Sequence, residues 1–285
     1  MTGDSFELLR GWVGKKEVRS DSLTAWPIAA LAATLDEPEL AVDIGSPVPN
    51  GWHWIFFLEA KPASELGSDG HPKRGGFLPP VPLPRRMWAG GRLEFIQPLK
   101  IGDLITRDSE ILSVEPKSGR SGTLVFVTVR HTIKAAGTTA IIEEQDIVYR
   151  EAAQKGEPLP PGKPAPGNAA WSRRVMPDST LLFRYSALTF NGHRIHYDRR
   201  YVAEVEGYPG LIVHGPLLAT LMLDLLRHER PDAVVARYAF KAMRPVFDIH
   251  SFRVCGQPQP GDTTIDLWVT DHEGALAMSA TAEIS

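Results

Sequence analysis

The sequence has only one cysteine, Cys255, so it contains neither an intrachain disulfide nor a cysteine-rich zinc site. Long apolar runs are also missing: no stretch reaches the ~20 residues that a bilayer-spanning helix needs, and residues 1–20 lack the apolar core of a signal peptide. Like charges form no block, and the net charge of −3 is not the electrostatic footprint of a nucleic-acid or membrane-surface protein. We therefore expect a soluble, cytoplasmic protein with no nucleic-acid or membrane partner, and we predict no metal site and no cofactor.

Length and composition indicate a folded protein that is large enough for two domains. Hydrophobic residues make up 43% and charged residues 23% of the 285 positions, as in average globular proteins. Residues 151–170 are rich in Pro, Gly and Ala and hold almost no large apolar side chain, which is typical of a linker. We predict an N-terminal half at 1–150, the linker at 151–170 and a C-terminal half at 171–285.

The C-terminal half combines one buried helix with a series of strands. Residues 215–227 are apolar almost all round, and Pro216 suits the first turn of a helix. Turn signals then separate four apolar runs. The predicted strands are 234–246, 252–256, 263–270 and 275–284. This order predicts an antiparallel sheet curved around a helix.

The N-terminal half permits a similar interpretation. Residues 25–35 are predicted to form a helix that begins after Thr24. The predicted strands are 51–59, 92–97, 104–115, 123–135 and 141–150, with a hairpin turn at 117–122. Residues 61–86 are too long for a tight connection, so we expect a functional or mobile loop there. No residue-by-residue repeat relates the halves, and one irregular α+β domain is the alternative to a duplication.

Polar groups crowd into residues 183–216, directly before the predicted C-terminal helix. This segment contains Asn191, His193 and His196, followed by Gly-Leu-Ile-Val-His-Gly at 210–215. Catalytic groups tend to lie on loops that a rigid scaffold positions. The segment is therefore the candidate active site.

The segment resembles the MaoC-like hydratase and dehydratase family, whose members carry a polar residue, a histidine five positions later and a similar glycine-histidine turn. Residues 183–198, with 71–80, 87–91 and 98–103, resemble more narrowly the branch of hydroxyacyl-thioester dehydratase type 2 and of mesaconyl-C4-CoA (3-methylfumaryl-CoA) and itaconyl-CoA hydratases. The resemblance implies an α+β double hot-dog fold, in which each half wraps an antiparallel sheet around a long central helix. It also implies a hydro-lyase that adds water across the double bond of an enoyl-CoA.

The same resemblance implies three catalytic residues. His196 would carry the proton transfer, which suits an imidazole with an unperturbed pKa of ~6.5. The family commonly has Asp where this chain has Asn191, and a carboxamide is not a base, so we predict that it positions the water by accepting from it and donating to a second group. The Gly215 amide, at the helix N-terminus, would hold the thioester oxygen, unless this glycine only permits the turn. Asp198 is a rival base, although we expect it to face the segment that follows.

Five further residues are predicted to bind substrate: Arg184, Tyr185, Ser186, His193 and Arg74. A buried guanidinium at Arg184 would need an anion, which could be a free carboxylate of the acyl group, a CoA phosphate or Asp198. The other basic residues of 61–86 are candidates for the CoA phosphates. His214 is expected to pack at the helix entrance.

For the substrate, the resemblance alone favours a short, branched dicarboxylyl-CoA such as mesaconyl-C4-CoA or itaconyl-CoA. The alternatives are a 3-hydroxyacyl-thioester dehydratase of fatty acid synthesis, a non-catalytic acyl-CoA binding protein and a thioesterase on the same fold. The sequence leaves open the direction of this reversible reaction and the choice between a monomer and a homodimer.

Overall fold

The computed structural model describes residues 3–119, 122–151 and 161–285. The strands in these ranges are β1 (Lys16–Ser22), β2 (Arg85–Phe95), β3 (Leu104–Gly119), β4 (Gly122–Ala135), β5 (Thr138–Arg150), β6 (Trp171–Val175), β7 (Val235–Ala242), β8 (Phe252–Pro258), β9 (Thr264–Thr270) and β10 (Leu276–Ile284). The helices are α1 (Gly3–Arg10), α2 (Ala25–Leu35), α3 (Ser179–Leu188), α4 (Arg199–Glu204) and α5 (Gly215–Glu229), with 3-10 turns at Trp52–Ile55, Ala63–Glu65 and Arg194–His196. None of these helices is long and apolar enough to cross a membrane.

The strands form one antiparallel sheet in the order β1-β3-β4-β5-β2-β7-β10-β9-β8-β6. Strands β1 to β5 occupy one end of the sheet and β6 to β10 the other, and β2 pairs with β7 where the two sets meet. Gly90 and Gly91 make this contact possible. A Cβ at Gly90 would lie 2.6 Å from the Phe240 carbonyl oxygen, which is closer than real Cβ atoms approach backbone. The junction between the two strand sets therefore depends on missing side chains.

Helix α5 lies at the centre of the main hydrophobic core. Its residues from Leu217 to Leu226 are all buried, as expected for a helix that is apolar all round. It packs against the strands of the C-terminal part, most extensively β8. Pro216 lies in its first turn, where the missing amide costs no hydrogen bond. The sheet therefore holds the N-terminus of α5 in a fixed place, and residues 183–216 end at that point.

Helix α2 is less enclosed than α5. It buries only Ile28, Leu31 and Ala32, and it packs against α3. It ends at Asp36, which adopts the left-handed conformation with φ 63°. Because α2 is short, the inward face of the first strand set is only partly covered by a helix, and this leaves room for a cavity.

Most of the predicted elements are confirmed. The helix predicted at 25–35 has the bounds of α2, and that predicted from 215 extends to Glu229 as α5. Eight predicted strands correspond to β2 to β5 and β7 to β10. Strands β1 and β6 and helices α1, α3 and α4 were not predicted. Both strands are short and polar, α1 and α4 are also short, and the hydrophobic patterning of α3 is weak.

The strand predicted at 51–59 is wrong. Trp52–Ile55 forms a 3-10 turn, and Phe57 follows with a φ of +58°. The aromatic run suggested a strand because aromatic residues are common in strands. In the structure Trp52, Ile55 and Phe56 are all buried, so burial does not alternate along the segment as it does in a half-buried strand.

Two predicted features fall partly outside the described residues. Residues 152–160 take up much of the predicted linker, and residues 120–121 lie within the predicted hairpin turn. Strands β3 and β4 do pair in register up to Gly119 and Gly122. The long segment 61–86 has little regular structure, and its backbone reaches residues 192–194 across the molecule.

Candidate active site

A cavity of about 810 Å³ lies between the segment 61–86, the inward face of the first strand set and the N-terminus of α5. Five residues singled out from the sequence line it: Arg74, Asn191, His193, His196 and Gly215. A smaller cavity of about 310 Å³ adjoins it, and the two share lining residues that include Asn191. The structure therefore brings together the three predicted catalytic residues at one cavity.

His196 is held in a defined tautomer. Its Nδ1 lies 2.7 Å from the Ile212 carbonyl oxygen, and because a carbonyl only accepts, Nδ1 carries the proton and Nε2 the lone pair. Nε2 forms no hydrogen bond with the described residues. Burial lowers the pKa of His196 to about 4, so the imidazole is neutral near pH 7. A neutral imidazole with a free Nε2 at a cavity wall has the lone pair that a general base needs.

Two further imidazoles fix the orientation of the His196 ring. The His214 ring stacks on it at 3.7 Å with 17° between the planes, and the His193 ring meets it edge-on at 5.6 Å. His214 is almost fully buried, and the Ser186 hydroxyl lies 2.8 Å from its Nε2. Burial holds the pKa of His214 well below its usual value. His214 is therefore the packing residue that the sequence suggested.

Asn191 is placed by a tight turn after α3. Phe190 has a φ of +48°, and the Asn191 amide donates to the Ser186 carbonyl at 2.8 Å. The side-chain Oδ1 accepts from the His193 amide at 3.0 Å, so the NH₂ group is the free end of the carboxamide. The turn therefore engages one of the two lone pairs of Oδ1 and leaves the NH₂ group without a hydrogen-bond partner among the described residues.

The backbone at Gly215 does not require a glycine. Its φ is not positive, and a Cβ there would have no neighbour closer than 3.9 Å, the Trp88 carbonyl oxygen. The turn and the packing would both accept alanine. Gly215 lines the larger cavity at the first turn of α5, where backbone amides have no partner within the helix.

A loop from the first half of the chain completes the cavity. The Asp69 carbonyl accepts from the Arg194 amide at 2.9 Å, and the His71 ring lies 4.0 Å from that of His193. Gly70 and Gly192 touch through their backbones: a Cβ on Gly70 would lie 1.9 Å from the Gly192 carbonyl oxygen. Two glycines from distant parts of the sequence thus let the loop dock on the candidate active site.

Asp69, His71 and His193 also form the group in the described ranges whose ligand atoms lie close enough to hold a metal ion, within 4.8 Å of one another. Their contacts are already those of a carboxylate–imidazole pair. The Asp69 carboxylate accepts from His71 Nδ1 at 3.1 Å, and this contact with the imidazole holds the pKa of Asp69 below its usual range. A hydrogen bond therefore accounts for the approach of Asp69 to His71.

Asp198 lies outside the cavity. One carboxylate oxygen accepts from the Tyr201 amide at 2.9 Å and caps α4, and the other accepts from the Arg194 guanidinium at 2.8 Å. The expectation that Asp198 faces the following segment is confirmed. Nothing in this geometry supports its alternative role as the base.

The predicted substrate-binding residues are not all at the cavity. Arg184 is exposed, with its guanidinium 3.5 Å from the Ala33 carbonyl oxygen, so the buried guanidinium expected there is not found. Tyr185 is buried against the His214 ring and lines only the smaller cavity. The Ser186 hydroxyl forms a hydrogen bond with His214 Nε2. Arg74 lines the larger cavity. Its guanidinium donates to the carbonyls of Val81, Leu83 and Pro84.

Arg107 is among the cavity residues that the sequence analysis missed. Arg107 lies on the same face of β3 as the buried Ile105 and Ser109, which are two positions before and after it. A charged side chain on the apolar face of an alternating strand was the available signal. Arg107 lines both cavities.

Comparison with known proteins gives a consistent result. The model of the hydroxyacyl-thioester dehydratase type 2 family matches residues 51–248. The mesaconyl-C4-CoA hydratase of Chloroflexus aurantiacus is 49% identical over 276 residues, which cover 96% of each chain. The mitochondrial hydroxyacyl-thioester dehydratase type 2 of Schizosaccharomyces pombe is 30% identical, covering 90% of this chain and 94% of the yeast protein. A Mycobacterium tuberculosis protein with a double hot-dog fold superposes with a TM-score of 0.58 at 13% identity, covering 96% of each chain.

Proposed function

The chain belongs to the hydroxyacyl-thioester dehydratase type 2 family, and on that premise we propose that it reversibly hydrates a short enoyl-CoA that carries a second, free carboxylate. Membership confirms the resemblance seen at residues 183–216, the double hot-dog fold and the assignment as a hydro-lyase. Mesaconyl-C4-CoA is the first candidate substrate because of the relative at 49% identity, with itaconyl-CoA as a second.

His196 carries the proton in this proposal. The water oxygen bonds to the β-carbon while one water proton passes to Nε2. The alkene electrons move to the α-carbon and the thioester oxygen as an enolate forms. Nε2 then returns the proton to the α-carbon, which leaves a neutral imidazole and a product that has gained one water. The single observation that carries the proposal is the tautomer of His196, whose Nδ1–H is engaged by the Ile212 carbonyl while Nε2 is free.

Asn191 and Gly215 supply the donors that this step needs. The free NH₂ group of Asn191 donates to the water oxygen, which keeps its other lone pair for the β-carbon. The Gly215 amide, at the positive end of α5, donates to the thioester oxygen as negative charge develops there. Neither role requires a carboxylate at position 191, so the departure from the more common Asp is compatible with hydration.

The test compares the hydration rates of different CoA thioesters, which are measured as the loss of the enoyl absorbance. We expect kcat/KM for mesaconyl-C4-CoA to exceed that for crotonyl-CoA by about tenfold or more, because a site that binds a polar group discriminates against an analogue that lacks it. Binding of these thioesters without any loss of absorbance would contradict a hydratase. Release of free CoA without hydration would indicate a thioesterase.

The second candidate function is the dehydration of 3-hydroxyacyl thioesters in fatty acid synthesis. It is favoured by the family model and by the yeast relative at 30% identity. The chemistry is the same reaction in reverse, so the two candidates differ in the acyl group and not in the site. Crotonyl-CoA hydrated better than the dicarboxylyl substrates would favour this candidate.

Four further expectations complete the proposal. The halves are taken as 1–150 and 171–285 joined by 151–170, with the motif in the second half. Acyl-CoA is the partner, and the protein acts as a monomer or homodimer. The cytoplasm is the expected compartment.

A further inference from the structure

Arg107 presents a guanidinium to both cavities from the inward face of β3. Its Nε is buried and has no hydrogen-bond partner. Burial is the largest influence on this side chain and lowers the pKa of Arg107. An isolated buried guanidinium is unfavourable unless an anion or several acceptors join it.

No described carboxylate forms an ion pair with Arg107, because the nearest acidic groups are already engaged. Glu17 and Glu59 pair with Arg19, at 2.7 Å and 3.3 Å. Glu143 accepts from three side chains: His53, Trp54 and Gln145, at 2.9 to 3.0 Å. The charge on Arg107 is therefore not matched by a direct partner among the described residues.

Phe57 holds the Arg107 guanidinium in place. The ring lies 5.0 Å below the guanidinium carbon, a cation–π contact. Phe57 has a φ of +58°, a conformation that costs a non-glycine residue ~1 kcal/mol, and its amide is tied to the Asp21 carboxylate at 2.7 Å. Strain of this kind persists only where surrounding contacts impose it, so the placement of Arg107 is a defined feature of the fold.

The other cations of the cavity wall are mostly paired. Arg85 faces Glu206 at 2.9 Å, Arg244 faces Asp271 at 3.4 Å, and Arg150 donates to the Tyr208 hydroxyl at 3.0 Å. Arg86 has no ion pair among the described residues, but it lines only the larger cavity. Arg107 differs from it in also lining the smaller cavity, which Asn191 lines as well.

We propose that Arg107 binds the free carboxylate of the acyl group, which makes the region shared by the two cavities a carboxylate subsite. The inference rests on the proposed function and adds to it the residue that selects the substrate class. A guanidinium and a carboxylate form two parallel hydrogen bonds, and each removes the penalty of burying the other. In mesaconyl-C4-CoA the free carboxylate is attached to the β-carbon, so this contact also places the carbon that water attacks.

The test measures binding with two saturated thioesters that differ in one group. Succinyl-CoA ends in a carboxylate where butyryl-CoA ends in a methyl group, and neither has a double bond to hydrate. We expect the wild-type protein to bind succinyl-CoA more tightly. Arg107→Met should raise the Kd for succinyl-CoA by about fiftyfold or more, since a buried charged partner is lost, and change the Kd for butyryl-CoA by less than about threefold.

Two matched variants accompany Arg107→Met. Arg107→Lys keeps the charge without the paired donors and should recover part of the preference for succinyl-CoA. Arg130→Met removes a guanidinium of the neighbouring strand β4 that is paired with Glu144 on the exposed face, and it should leave both Kd values unchanged. Melting temperatures of all variants check that each protein is folded.

The proposal would be overturned if Arg107→Met lost affinity equally for both thioesters, or lost affinity for neither. A wild-type protein that does not prefer succinyl-CoA would overturn it as well, and so would a selective loss in Arg86→Met that Arg107→Met does not show. Because these measurements need no turnover, they are separate from the test of hydration: a protein that prefers succinyl-CoA through Arg107 but hydrates no enoyl-CoA would contradict only the proposed function.

Discussion

Replacing His196 with alanine is expected to lower kcat/KM for mesaconyl-C4-CoA by about 10³-fold or more. Positioned proton transfer is worth ~10²–10⁴ in rate, and in this account one imidazole performs both transfers. The NH₂ group of Asn191 and the amide of Gly215 would remain, so binding of a saturated acyl-CoA should change little. Turnover by stopped assay and Kd by calorimetry separate the two effects. Activity close to that of the wild type would contradict the assignment of His196.

His196→Gln is the control for folding, because alanine leaves a gap where the ring stacks on His214. Glutamine fills more of this volume and also lacks a base, so we expect the same loss of turnover. Acid unfolding gives an independent reading. The folded-state pKa of His196 is about 4, below the unfolded value near 6.5, so stability is lost as pH falls from 6.5 toward 4. Both variants should lose less stability than the wild type across that range.

Gly70→Ala is expected to lower kcat/KM by about a hundredfold without unfolding the protein. The new Cβ would lie 1.9 Å from the Gly192 carbonyl oxygen, and a contact with backbone cannot be relieved by turning a side chain. The loop must move away, and His71 and Asp69 move with it. Displacements of ~1 Å at a catalytic site can cost ~10²-fold in rate. Steady-state kinetics and the melting temperature measure the two effects.

Gly137→Ala is the matched control for Gly70→Ala. Gly137 also has a positive φ, 79°, but nothing lies within 4 Å of its Cβ position, and it joins β4 to β5 away from the cavity. Both variants carry the conformational penalty of alanine in the left-handed region, ~1 kcal/mol, and only Gly70→Ala adds a collision. Equal activities of the two variants would show that loop docking does not support the site.

The parts of the site that are local in sequence could be predicted from it. Asn191 and His196 lie five positions apart on one short segment, and the apolar run from Leu217 to Leu226 identifies the buried helix that follows. Their proximity is set by a few backbone turns. For the same reason the sequence indicated that Asp198 faces the segment that follows it, where the structure shows it capping α4.

The parts that depend on distant contacts could not be predicted. Gly70 contacts Gly192, which lies 122 positions later in the sequence, and no pattern within either segment predicts the contact. Arg184 illustrates the opposite error: its neighbours Tyr185 and Ser186 are buried, but it lies on the exposed face of α3, a helix that was not predicted. The bonding of Asn191 Oδ1 to the His193 amide is likewise a detail of one turn that residue types alone do not specify.

The most direct measurement is the stereochemistry of hydration of mesaconyl-C4-CoA in D₂O, determined from the product by NMR. If Nε2 of His196 takes a deuteron from the water and returns it to the α-carbon, the deuterium and the hydroxyl group add to the same face of the double bond. Addition to opposite faces would require a second acid on the far side of the substrate and would contradict the single-imidazole account.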